Sequence, residues 1–205
     1  MKIIVSVYIF IFLNFSCAYA SSEFDYVGPK KSYSYSYCYG DNIFSYGIKS
    51  VYGDNIYKNI KYYGETKHSY DLYVKNNNVM IMGDHEGVLL SFEDVWSQCY
   101  HSMSTDGKKF VENYICLKKY EKINNFDVLI VIKEKDSVLL EEVYIKNVGL
   151  FISGGYSKDV GRDLDNYEFL CVIDGEELKN TNLRGIKPLI IDVLKKYEVR
   201  NFEIK

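Results

Sequence analysis

From Ser32 to Tyr39 the chain alternates without a break, with Tyr33, Tyr35, Tyr37 and Tyr39 at odd positions and Ser32, Ser34, Ser36 and Cys38 at even ones. Successive side chains of a strand point to opposite faces, so this run reads as a strand with one aromatic and one small polar face. A tandem repeat follows directly. Tyr39-Gly40-Asp41-Asn42-Ile43-Phe44 recurs thirteen residues on as Tyr52-Gly53-Asp54-Asn55-Ile56-Tyr57. In each copy Gly-Asp-Asn suits a turn and the aliphatic-aromatic pair suits the next strand, so two copies predict a meander.

Further strands follow the same pattern. Tyr70 to Met82 predicts a hairpin around Asn76-Asn77-Asn78, and Phe126 to Ile145 predicts another, with Val128, Ile130 and Ile132 alternating before the turn. Val148–Ile152 and Tyr167–Ile173 add two more strands, and Phe202–Ile204 a short closing one. Helical spacing is expected in the middle of the chain. Ser91 and Asp94 have capping-box spacing, Val95, Trp96, Cys99, Tyr100 and Met103 follow, Asp106-Gly107 interrupts, and Phe110, Val111, Tyr114 and Leu117 resume. A last helix is predicted with Pro188 in its first turn and Ile190, Val193, Leu194 and Tyr197 on one face. The expected class is α+β: mostly antiparallel sheet in meanders and hairpins, a helical pair in the middle and a C-terminal amphipathic helix.

The first twenty residues combine Lys2, an apolar run Ile3–Phe15 and Ala18-Tyr19-Ala20. That is the layout of a secretory signal peptide, so residues 1–20 are expected to be removed, with Ser21 as the new first residue. Residues 21–205 then form a single secreted domain, with 21–31 as a loose lead-in. No later segment has the roughly 20 apolar residues of a transmembrane helix. Leu13-Asn14-Phe15-Ser16-Cys17 also resembles a relaxed bacterial lipobox, which would instead anchor Cys17 to lipid at a bacterial surface. Removal of Lys2 leaves 24 basic against 28 acidic residues, a net charge of −4 with no basic cluster, which argues against nucleic acid as a partner. Lys outnumbers Arg 22 to 3 and residues 21–205 hold no alanine, a bias expected of an AT-rich genome.

Cys17 falls inside the removed segment and leaves Cys38, Cys99, Cys116 and Cys171. Four cysteines in an oxidising compartment predict two disulfides, with three connectivities open. Cys99–Cys116 is the preferred pair, on the expectation that a helical hairpin brings the two together, and Cys38–Cys171 would then tie early strands to late ones. Free buried cysteines are the alternative, and a zinc site lacks any C-x-x-C spacing.

No metal site or cofactor motif is legible. Asp84-His85-Glu86 lies between Gly83 and Gly87 and reads as a surface turn, and no G-x-S-x-G elbow is present. The glycine-bearing stretch from Gly149 to Gly161 reads as a loop between strands; with Tyr156, Asp163 and Asp165 it is the candidate ligand-facing loop. Tyrosine is the strongest compositional signal, with 19 left after residue 20. An exposed Tyr33/Tyr35/Tyr37 ladder would offer rigid amphipathic rings to a sugar or a protein partner.

Residues Ile48-Lys49-Ser50-Val51-Tyr52-Gly53-Asp54-Asn55-Ile56, running on to Ile60 and Tyr63-Gly64, resemble a strand pair of jacalin-type lectins. The later aliphatic is displaced by one place and the family's glycine-pair loop is missing, so no binding residue carries over. The functional expectation is a secreted, non-catalytic binding or effector protein with a protein or glycan partner outside the cell. The alternatives are a carbohydrate-binding module using the Tyr-rich strands, and a small hydrolase with His85 or His101 as its acid–base residue.

Overall fold

The computed structural model describes residues 24–52, 56–76, 78–82, 86–91, 99–105, 110–157, 159–163, 167–174, 176–177 and 182–197. The expected signal peptide with Cys17, the second Gly53–Asn55 turn, Asp84 and His85, Val95 and Trp96, Asp165 and the expected Phe202–Ile204 strand lie outside these residues.

The described chain is almost wholly antiparallel β-structure. A 3₁₀ turn, Phe24–Tyr26, precedes β1 (Tyr33–Tyr39), β2 (Asn42–Tyr52), β3 (Ile56–Tyr63), β4 (Thr66–Lys75), β5 (Asn78–Met82) and β6 (Glu86–Ser91). The second half runs through β7 (Tyr100–Thr105), β8 (Phe110–Ile123), β9 (Phe126–Lys135), β10 (Val138–Ile145), β11 (Gly149–Ser157) and β12 (Glu168–Ile173). The two-residue β13 (Glu176–Glu177) and helix α1 (Asn182–Lys196) complete it. Each half is a meander in which every strand pairs with the next, and β12 returns to pair antiparallel with β1. At the remaining junction Ser102 Oγ on β7 donates to the carbonyls of Val88 and Leu89 on β6, at 2.9 and 3.2 Å, in place of a backbone ladder. Twelve strands thus form a near-barrel, with β13 a short addition beside β12.

The helical pair expected in the middle is absent from the described residues: β7 and β8 occupy 100–105 and 110–123 and pair with each other from Tyr100↔Ile115 to Thr105↔Phe110. The α+β reading is therefore corrected to a nearly all-β architecture with one C-terminal helix. The reason lies in β8. Asn113 and Ile115 are buried while Glu112 and Tyr114 are exposed, a period of two, but a register shift between Ile115 and Leu117 places Cys116 on the buried side as well. A bulge of this kind breaks the alternation and leaves apolar spacings that mimic a helix. β8 also pairs on both sides, with β7 and with β9, and that ladder overrides local propensity.

Two further expectations shift. The strand expected at Val148–Ile152 runs on through residues 153–157, read as loop, to form β11, and α1 begins at Asn182, so Pro188 lies inside the helix and not in its first turn. The hairpin turns at Asn76 and Asp136 form as expected, with φ of 51° and 55° at those residues, the left-handed region that Asn and Asp tolerate.

β9 and β10 are buried on both faces. Val128, Ile130, Ile132, Leu139 and Val143 pack under Ile186, Ile190 and Leu194 of α1, whose spacing of four puts them on one helix face. Leu129, Val131 and Tyr144 point the other way, into the barrel, and meet Tyr57, Leu72, Val79, Ile81 and Leu90 from the opposite wall. Helix α1 therefore seals the outside of the wall that the barrel interior needs most. Beneath it Arg162 pairs with Glu141, whose second oxygen accepts from Tyr167 Oη at 2.7 Å, and Arg162 also donates to the Tyr197 carbonyl at 3.3 Å.

Two disulfides tie the sheet. Cys99–Cys116 spans β7 and β8, where antiparallel register sets residue 99 opposite residue 116; strand pairing, and not a helical hairpin, brings the two together. Cys38–Cys171 spans the β1–β12 seam, its Cα atoms 5.8 Å apart and 133 residues apart in sequence. Closing so long a loop removes more unfolded-chain entropy than closing a short one. The Cys38→Ala/Cys171→Ala double variant is expected to lose about 3–5 kcal/mol in urea unfolding. The 17-residue Cys99–Cys116 loop should cost less when removed in the same way.

Candidate functional site

The alternation of β1 builds the site. Tyr33, Tyr35 and Tyr37 point into the barrel and are each under a tenth exposed, with adjacent ring centroids 6.0 and 5.5 Å apart in tilted and edge-to-face arrangements. The ladder expected on the surface is thus an internal wall. Tyr35 Oη donates to Asn59 Oδ1 at 2.7 Å and Tyr37 Oη to the Leu150 carbonyl at 2.7 Å. Burial holds all three phenols well above the usual tyrosine range, so they are neutral hydrogen-bond donors at physiological pH. Gly47 makes the arrangement possible: a Cβ there would lie 2.5 Å from the Tyr35 hydroxyl and from the Ile60 carbonyl.

These tyrosines line a cavity of about 400 Å³ inside the barrel. One wall is apolar, with Leu72, Ile81 and Leu90, and the other carries Lys49, Lys61, Asn59, Glu142 and Glu168. Phe44 and Tyr63, edge to face at 5.7 Å, stand at one end. The N-terminal turn lies across the other, where the Val27 carbonyl accepts from Lys49 Nζ at 2.7 Å and the Gly28 carbonyl from Tyr57 Oη at 3.4 Å.

Three lysines and two carboxylates occupy this interior. Lys133, with a fully buried side chain, sits 2.8 Å from Glu142 Oε2, off the line of an ideal hydrogen bond, so their attraction is that of an ion pair. Glu142 Oε2 also accepts from Tyr144 Oη at 2.6 Å. Lys61 lies 3.9 Å from Glu168 and over the rings of Tyr37 and Tyr63, at 4.9 and 4.5 Å from their centroids. Burial lowers the Lys61 pKa and raises that of Glu168, each effect offset in part by the other's charge. Lys49 differs from both. Among the described residues no carboxylate lies within ion-pair distance of it, and its neighbours are the Val27 carbonyl and the Tyr33 and Tyr57 rings at 5.5 and 5.6 Å. Burial, with Lys61 nearby, pushes the Lys49 ammonium down to about 7.

The other candidates lie elsewhere. Tyr156 is on the outer side of β11 against Arg162, 5.2 Å from its ring centroid, and Asp163 is exposed beyond it. Asp165 and His85 lie outside the described residues. Glu86, beside His85, is exposed and accepts from Tyr73 and from Lys75, which hold its carboxyl below the usual range. His101 is on the outer wall, half-exposed, 3.7 Å from Glu112 and edge-on to Tyr114. Among the described residues no group of His, Cys, Asp and Glu is arranged to hold a metal ion.

Sequence reasoning missed Lys49, Asn59, Lys61, Glu142 and Glu168. In β2, Ser45, Gly47 and Lys49 face inward while Tyr46, Ile48 and Tyr52 face out, half-exposed; β3 likewise turns Asn59 and Lys61 inward and Ile56 outward. The amphipathic pattern is inverted, so alternation gave the two faces but not their direction. Comparison with protein-family models, with curated proteins and with solved structures finds no match for this chain.

Breaking a buried ion pair from one side strands the other charge. Glu142→Gln is expected to cost about 3–5 kcal/mol in chemical denaturation, and the Lys133→Met/Glu142→Leu double variant should recover most of that loss. Equal losses for both variants would show that the pair does not act through charge.

Proposed function

We propose that the protein is a secreted, non-catalytic binding protein that carries a small apolar or aromatic ligand inside its barrel. One observation carries the reading: a cavity of about 400 Å³ that combines an apolar wall with neutral phenols and lysines. Sites for small molecules have this volume and this mixture of apolar surface with few placed polar groups. The two disulfides suit an oxidising compartment, and with the expected signal peptide they support an extracellular location. Among the described residues no helix is long and apolar enough to cross a membrane. Ligand-observed NMR against a panel of neutral and charged bicyclic aromatics should detect binding to the wild-type protein. Ser153→Trp, which projects an indole from the cavity wall, should abolish it while the thermal midpoint stays within a few degrees. Binding that survives this substitution would place the ligand elsewhere.

A second reading, an effector with a protein partner, is favoured by the outer face of β2 and β3. There Tyr46, Ile48, Tyr52 and Ile56 are each about half-exposed, and Tyr46 stacks on Tyr62 at 5.0 Å with planes 11° apart. Contiguous exposed apolar surface of this sort marks interaction sites. If it docks a protein, Ile48→Glu will eliminate a partner that the wild-type chain captures from extracellular fluid and leave cavity binding intact. Retention of that partner by the variant would count against this face.

A further inference from the structure

We propose that the cavity takes an amphipathic organic anion, its carboxylate held by Lys49 beside Lys61 and its apolar body lying between the tyrosine ladder and the aliphatic wall. This rests on the cavity being the ligand site and adds the charge and orientation of what it holds.

Lys49 pairs with Asn59 and Gly47 with Lys61, so the two lysines are diagonal neighbours on one inner face. The position opposite Lys61 is a glycine, and the Tyr35 hydroxyl takes the place its Cβ would occupy, which brings a neutral donor beside the two lysines. Among the interior charges of the described residues, Lys133 is matched by Glu142 and Lys61 by Glu168, which leaves Lys49 as the cation without a counter-ion. A buried ammonium with only a carbonyl and two ring faces is poorly compensated for the water it has lost. A ligand carboxylate between Lys49 and Lys61 supplies the missing charge through charge-assisted hydrogen bonds. Lys49 lies at the end closed by Val27, so the anionic head sits deepest and the apolar body extends toward Phe44 and Tyr63.

Proton linkage follows. The titratable and charged groups around Lys49 are Tyr33 on β1, Tyr57 and Lys61 on β3, Tyr70 on β4, the Lys133–Glu142–Tyr144 group on β9 and β10, and Glu168 on β12. Asp25, with Lys30 and Lys146, lies beyond the Val27 end. The phenols are held neutral by burial, Tyr70 up to about 12, and so do not titrate near neutrality. Lys49 titrates at about 7 when the cavity is empty and must be charged to hold an anion. Binding at pH 8 therefore takes up a proton, whereas binding at pH 6 takes up little.

The probes are 2-naphthoate and its neutral carboxamide, titrated calorimetrically from pH 6 to 9 in buffers of differing ionisation enthalpy. At pH 7 the carboxylate should bind roughly tenfold or more tighter than the amide. Its affinity should fall by up to about tenfold per pH unit above 7, with uptake approaching one proton. Lys49→Met should erase the preference and the proton uptake together. Lys49→Arg, which stays charged, should keep the preference but lose the slope near neutrality. Equal binding of amide and carboxylate by the wild type would overturn the anion assignment and leave the cavity reading standing. A carboxylate preference unchanged in Lys49→Met would overturn the role of Lys49. Failure of both probes to bind would overturn the assignment and the cavity reading together.

Discussion

Strand β1 joins the two meanders and furnishes the barrel interior, and most of the architecture depends on that double duty. On one edge it pairs with β2 and on the other with β12, so the last strand of the meander reaches the first. Its inward residues, Tyr33, Tyr35 and Tyr37, are bulky enough to span part of a twelve-strand interior that aliphatic side chains alone would leave as void. Its outward Cys38 is bonded to Cys171 across the same seam. Without this strand β2 and β12 would become open edges in addition to the unladdered β6–β7 junction, and the aromatic wall would be lost.

The barrel encloses several polar and charged side chains, and its main ones are paired. Tyr35 donates to Asn59 and Tyr37 to the Leu150 carbonyl, Lys133 finds Glu142, and Lys61 finds Glu168. Such pairs cost desolvation and return little net stability, so the apolar contacts of the second wall and of α1 do most of the holding. The charged pairs instead fix which side chains face which across the cavity. Lys49 is the exception to this matching, and it is the residue that gives the interior a chemical preference.

The strands were readable wherever alternation was clean. Lys75↔Asn78 and Lys135↔Val138 close hairpins whose Asn and Asp turn residues announce them, and the Tyr39–Asn42 turn forms as the first repeat suggests, with Gly40 at φ 55°. Reading failed where regularity was broken. The bulge at Cys116 disguised β8 as a helix, and Gly154 in β11 read as loop because its glycine serves a contact invisible in sequence, the Tyr167 ring 2.3 Å from where a Cβ would be. Of the candidate site, only the tyrosine ladder was legible, and its direction was not.

The sequence by itself determined the strands whose alternation is unbroken and which of their residues share a face, because strand periodicity is a local property of the chain. Only the tertiary structure decided that the tyrosine face of β1 and the lysine faces of β2 and β3 look inward together. A strand's two faces become inside and outside only when the sheet curves and closes, and that depends on β12 meeting β1 some 130 residues away, a contact that no local pattern encodes.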